Sequence, residues 1–292
     1  MEQGEAGSKR RLDGASSFHA QLALLLQQDL QARLRDVIGL DSFSRGTGYL
    51  TDWRAGLAAG LDSDAPGLHR DGLRRSLQRP GSCMALAVNS FLPWVPHPRK
   101  LTLCGLGEFT EIQFDGRCPT GVRGTPPHIE VLASGPMGVV GVTARVFDYL
   151  VKRRSRPSPA YGSLALPVRM APWGELLREA GSDEPAFHHV DILTLAKLAV
   201  GLGRIFEHRP VRLLYLFAEP AQAAAVGPFA AHRAELAHLI NGTSDSGVPL
   251  TAISFQELWQ AWRDGQTPDA VRAVAAELCR RYAVAMPRVT SL

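Results

Sequence analysis

HIEVLASGPMGVVGVTARVF, residues 128–147, is the stretch on which the fold turns. Two runs of alternating and β-branched residues flank a Gly-Pro-Met-Gly break, the pattern of a β-hairpin with residues 135–138 at its turn. Turn geometry sets the register, so Glu130 is expected opposite Thr143 and His128 opposite Arg145. Side chains alternate across a strand, which puts Ile129, Val131 and Ala133 on one face with Val140, Val142, Ala144 and Val146. One face of the hairpin packs, and the other gathers an acid, a hydroxyl and a cation.

Working outward, residues 101–106 and 109–114 read as further short strands set off by Gly and Pro. Downstream, a helix at 188–207 leads to the apolar run VRLLYLF, residues 211–217, a buried strand between Arg-Pro and Glu-Pro. A helix at 228–241, a short strand at 249–255 and helices at 256–263 and 268–284 follow. Upstream, Phe18, Leu22, Leu25, Leu30, Leu34 and Ile38 recur at helical spacing until Gly39. Residues 40–80 read as surface loop and short helices, and residues 84–89 as a short buried helix stopped by Pro93, Pro96 and Pro98. The expected fold is α/β, a mixed sheet flanked by helices with N- and C-terminal helical extensions. It divides into a disordered tail (1–15), a helical region (16–98), an α/β core (99–265) and a C-terminal helix (266–292).

A chain of 292 residues with 45% hydrophobic content suffices for one large core with a helical extension. No apolar run approaches the about 18 residues of a membrane span, and the opening MEQGEAGSKRRLDGASS is polar, unlike a signal peptide. A soluble, cytoplasmic protein with no membrane association is expected. Cys83, Cys104, Cys118 and Cys279 lack ligand spacing, so neither a zinc site nor a disulfide framework is suggested. A net charge of +4 is compatible with a polyanionic partner and does not demand one. No G-x-S-x-G, P-loop or H-E-x-x-H pattern is present, which sets aside the commonest hydrolase and nucleotide-binding classes. His188, His189 and Asp191 invite a metal reading, but adjacent histidines diverge on a helix and fit a cap better.

The run PTGVRGTPPHIEVLASGPMGVVGVTARVFDYL, residues 119–150, resembles the core of the PD-(D/E)XK restriction-endonuclease-like superfamily, in which an acid near a strand start precedes an E-x-K on the next strand. The downstream helix and the strand VRLLYLFAEP are similar to a bacterial branch of restriction endonucleases within it, and the likeness spans residues 82–262. The resemblance implies hydrolysis of DNA phosphodiester bonds assisted by Mg²⁺, with carboxylates holding the metal. Carried over, Glu130 occupies the aspartate position, Thr143 that of the glutamate and Arg145 that of the lysine. Only Glu130 is an ordinary metal ligand. Thr143 lacks the charge a hard cation prefers, and Arg145 cannot shed a proton, although it can stabilise negative charge on phosphorus. Asp148 or Asp115 would supply the second metal ligand, and Arg123 and Lys152 would contact the DNA backbone.

Two other expectations stand beside the active nuclease. One is a catalytically inactive nuclease-fold protein that binds nucleic acid or a protein partner, a homodimer included. The other is a plain solvated sheet surface on which Glu130 and Arg145 form an ion pair worth about 0–1 kcal/mol. On that reading Asp148 faces away from Glu130 by strand parity, Asp115 caps a turn, and Lys152 belongs to a solvated basic run.

Overall fold

The computed structural model describes residues 3–287 apart from 66, 152–155, 163, 183–185 and 224–225, with side chains from Phe18 onward. Five strands form one sheet: β1 (Glu111–Arg117), β2 (His128–Gly135), β3 (Gly138–Val146), β4 (Val211–Ala218) and β5 (Leu250–Ser254). Their spatial order is their chain order. β1, β2 and β3 make an antiparallel meander, and β4 and β5 join parallel to β3. The helices are α1 (Gln3–Ile38), α2 (Asp71–Leu77), α3 (Cys83–Phe91), α4 (Ala171–Glu179), α5 (Ile192–Ile205), α6 (Gly227–Thr243), α7 (Phe255–Asp264) and α8 (Asp269–Arg281). Parallel neighbours need a crossover, supplied by α4 and α5 before β4 and by α6 before β5. The result is the mixed α/β architecture expected from the sequence.

The hairpin register is the expected one. Val131 pairs with Val142, Ala133 with Val140, and Gly135 with Gly138 around Pro136-Met137. β3 is buried almost throughout, in keeping with its run of Val, Gly and Ala, because helices cover the sheet: α3 packs on β1, β2 and β3, and α5 on β4.

Three expectations change. Residues 101–106 are not a sheet strand; Leu103 and Leu106 make only an isolated bridge around Cys104 and Gly105, both at positive φ. The apolar signal there reports packing, since Leu101 and Leu103 are buried. α5 begins at Ile192 rather than near 188, because the Asp191 side chain accepts from Thr194 N (3.0 Å) and starts the helix there. α1 is helical from Gln3, inside the span read as a tail.

Residues from the N-terminal helices, the sheet and the C-terminal helix share one core, from Leu22 through Phe91, Val142 and Leu216 to Leu278 and Val284. Buried polar groups lock its far corner. Asn89 accepts from Ala58 N (2.6 Å) and donates to Gly56 O (3.0 Å). Arg281 donates to Gly56 O and Leu57 O, and the Tyr282 hydroxyl to Pro80 O. Among the described residues no helix is long and apolar enough to cross a membrane.

Candidate functional site

The polar face of the hairpin is partly covered: Thr143 is buried, Glu130 half-buried and His128 exposed. β2 and β3 stop pairing beyond Val131 and Val142, and the Glu130 carboxylate then accepts from Ala144 N (3.2 Å), an amide past the last backbone pair. Thr143 is buried beside it and stands in register with Tyr215 of β4. Arg145, with a side chain only 15% exposed, donates from Nη1 to Ala144 O (2.7 Å) and Thr143 Oγ1 (3.4 Å). The three residues named by the resemblance do come together.

Asp148 joins them by a backbone device. Strict alternation would turn it away from Glu130, but Phe147 takes a left-handed conformation (φ 59°) and resets the parity. The Asp148 carboxylate accepts from Val146 N (3.2 Å), and its other oxygen lies 3.8 Å from Arg145 Nε. Asp115 does not join. It also has positive φ, and its carboxylate is engaged by His128 Nδ1 at 2.7 Å. His128 is therefore directed at β1 instead of at Arg145. Arg123 is exposed in the β1–β2 loop, and Lys152 lies outside the described residues.

Electrostatics bind the cluster tightly. Burial pushes the Glu130 carboxyl above the usual range, and Arg145, the Thr143 hydroxyl and the Ala144 amide pull it part of the way back. Burial opposes the Arg145 charge as well, but Tyr215, Glu130 and Asp148 outweigh it, so the guanidinium is held more firmly cationic than usual. Cys83, at the start of α3, has its thiol pushed up to about 12 by burial, with Asp148 and Glu130 adding to the shift. It is an inert neighbour, not a nucleophile.

Mg²⁺ prefers several carboxylate or water oxygens around it. Here Glu130 is tied to Ala144, Thr143 is uncharged, Asp115 is taken by His128, and a permanent cation sits among the acids. Among the described residues no group of three or more His, Cys, Asp or Glu is placed to hold a metal. The residues present do not fit the ion that the resemblance implies.

An open cleft of about 620 Å³ runs up to this cluster, between α1, the loop after it and the end of β3. Arg35, Arg79, Gln31 and Tyr49 line it, together with Cys83 and Asp148. A neighbouring depression shares Arg35, Thr47 and Gly48 with it and adds Arg45. The Arg79 guanidinium lies 4.6 Å over the Tyr49 ring. The sequence reading gave these arginines no shared role, Arg79 standing there only in a surface stretch, because they come from segments far from the hairpin. The local signal was no more than arginines at the ends of polar helices.

The fold and cluster define a mixed α/β protein with an arginine among half-buried acids. Compared with protein-family models, curated proteins and solved structures, the chain matches none.

Proposed function

We propose that the chain is a restriction-endonuclease-like protein in which the Arg145 guanidinium takes the place of the metal ion, and that it binds nucleic acid without hydrolysing it. The observation that carries this reading is Arg145 itself. Its guanidinium lies 3.8 Å from Asp148 and in the field of Glu130, the two carboxylates on which a cation would otherwise depend. Further support comes from the acid on β2 beside the Thr-x-Arg of β3, the arrangement the resemblance leads one to expect. The cleft with Arg35 and Arg79, and the adjoining depression with Arg45, offer forked donors that suit phosphate oxygens, and Tyr49 adds an aromatic face.

The test is fluorescence anisotropy with short single- and double-stranded DNA across a salt series, on the full chain and on Arg35→Gln/Arg79→Gln. Wild-type binding should weaken steeply with salt, and the double variant should flatten the slope by about 2 for duplex, one contact per arginine. Salt-independent binding, or no binding, would overturn the nucleic-acid reading. DNA cleavage with Mg²⁺ or Mn²⁺ that disappears in Glu130→Gln would overturn the non-hydrolytic part.

A further inference from the structure

Asp148 lines a second hollow on its other side, about 310 Å³ in volume, at the carboxyl ends of the parallel strands β3 and β4. In open α/β sheets the crevice beyond those strand ends is the usual ligand position. The volume is at the lower limit of small-molecule sites, which run from about 300 Å³ upward, so it suits a unit of one base or nucleoside. Its polar lining includes His188 and His189 beside Arg145, Asp148, Asp191 and Tyr215, with Tyr149 and Phe187 giving flat wall.

The hydrogen-bonding character of that lining can be read from His232. This residue is fully buried and stacks on Tyr149 with ring centroids 3.9 Å apart, and its Nε2 lies 3.1 Å from the Tyr215 hydroxyl. Burial pushes its pKa down to about 3, with His189 and Arg233 adding to the shift, so the ring is neutral at pH 7. Nδ1 is buried without a partner. A buried unpaired N–H is rarer than a buried unpaired acceptor, so the proton belongs on Nε2, where it is donated to Tyr215. The Tyr215 O–H then points its own proton elsewhere, and Tyr215 lines the hollow. Tyr215, itself only 1% exposed, and the Arg145 guanidinium are donors, while the Asp148 and Asp191 carboxylates, which already accept from Val146 N and from Thr194, keep further lone pairs as acceptors around one small space.

A bare anion is disfavoured there by two carboxylates, and an apolar group by the charged lining. A nucleobase edge with an exocyclic amine next to a ring nitrogen or carbonyl offers both donor and acceptor. We propose that the hollow receives one such base, unstacked from a strand whose backbone lies in the arginine-lined cleft across Asp148. This rests on the nucleic-acid reading above and narrows its ligand to single strands or strand ends. Cytosine and adenine meet the two carboxylates through their amines, and thymine has none to offer.

The experiment is anisotropy on the full chain with dC and dT 12-mers, a dC 12-mer carrying central abasic sites, and a blunt duplex. The variants are Tyr215→Phe and Val151→Trp; Val151 lines the hollow with 38% of its surface exposed, so a larger side chain fills the space from the solvent side. Wild type should prefer dC over dT and over the abasic strand by about tenfold, with the duplex weakest. Val151→Trp should erase that preference with the salt slope unchanged, and Tyr215→Phe should reduce it. Equal affinity for all four ligands, indifferent to Val151→Trp, would sink the base pocket and leave backbone binding in the cleft standing. Absence of salt-dependent binding to any of them would sink the nucleic-acid reading and the pocket with it.

Discussion

Replacing Arg145 with methionine keeps the stem of the side chain and deletes its charge, leaving Glu130 desolvated without its cation. Breaking a buried pair by removing one member costs about 3–5 kcal/mol. Asp148 is 33% exposed and can rehydrate, and Glu130 is half-buried and feels Arg145 without a contact ion pair, so a loss below that range, about 2 kcal/mol, is expected. For a chain of 292 residues that is a fall in Tm of about 3 °C. The direction of the pH dependence follows from Glu130. Its folded pKa lies above the unfolded value, so its contribution is most favourable at low pH and is lost as pH rises through the shifted window. Without Arg145 the pKa climbs further, and the variant should be closer to wild type near about pH 5 than near about pH 8. Urea denaturation at both pH values reads the difference directly. In Glu130→Gln/Arg145→Met no buried charge is stranded, and most of the loss should return. An Arg145→Met variant within about 1 kcal/mol of wild type at both pH values would refute the reasoning, for it would mean that the cluster is solvated and the pair weak.

Three further outcomes are expected. Thr143→Glu/Arg145→Lys restores a second carboxylate and removes the fixed guanidinium, so calorimetry should detect Mn²⁺ binding that wild type lacks. His232→Phe should make the protein less acid-sensitive: a histidine whose folded pKa is depressed costs stability as pH falls from its unfolded value, by up to about 1.4 kcal/mol per pH unit, and phenylalanine abolishes that slope. Gly201→Ala should lower stability by about 1–3 kcal/mol in thermal melts, because a Cβ on this face of α5 collides with the Cys118 carbonyl, which is backbone and cannot swing aside.

The hairpin was legible because its two strands are joined by so short a turn that only one register buries the valines. The same alternation failed at Asp148. A single left-handed residue, Phe147, reverses the parity, and nothing in Val-Phe-Asp announces it, since phenylalanine is a poor candidate for positive φ. The capture of Ala144 N by Glu130 depends on where β2 leaves its partner, a tertiary event with no local signature. Tyr215 was legible as a strand residue but not as a neighbour of Thr143, because parallel register is set by a crossover of some sixty residues and by no turn. The arginine cleft was hidden for the same reason: Arg35 and Arg79 meet only after α1 has packed.

The agreement between strand order and chain order has a consequence for how the molecule is made. Each strand emerging from the ribosome finds its one partner already present, and no gap waits for a distant segment to be inserted. The sheet can grow at a single edge as synthesis proceeds. Arg281 and Tyr282 bond to residues 56, 57 and 80, with every strand of the sheet lying between them in the chain, and so act as a clasp across it.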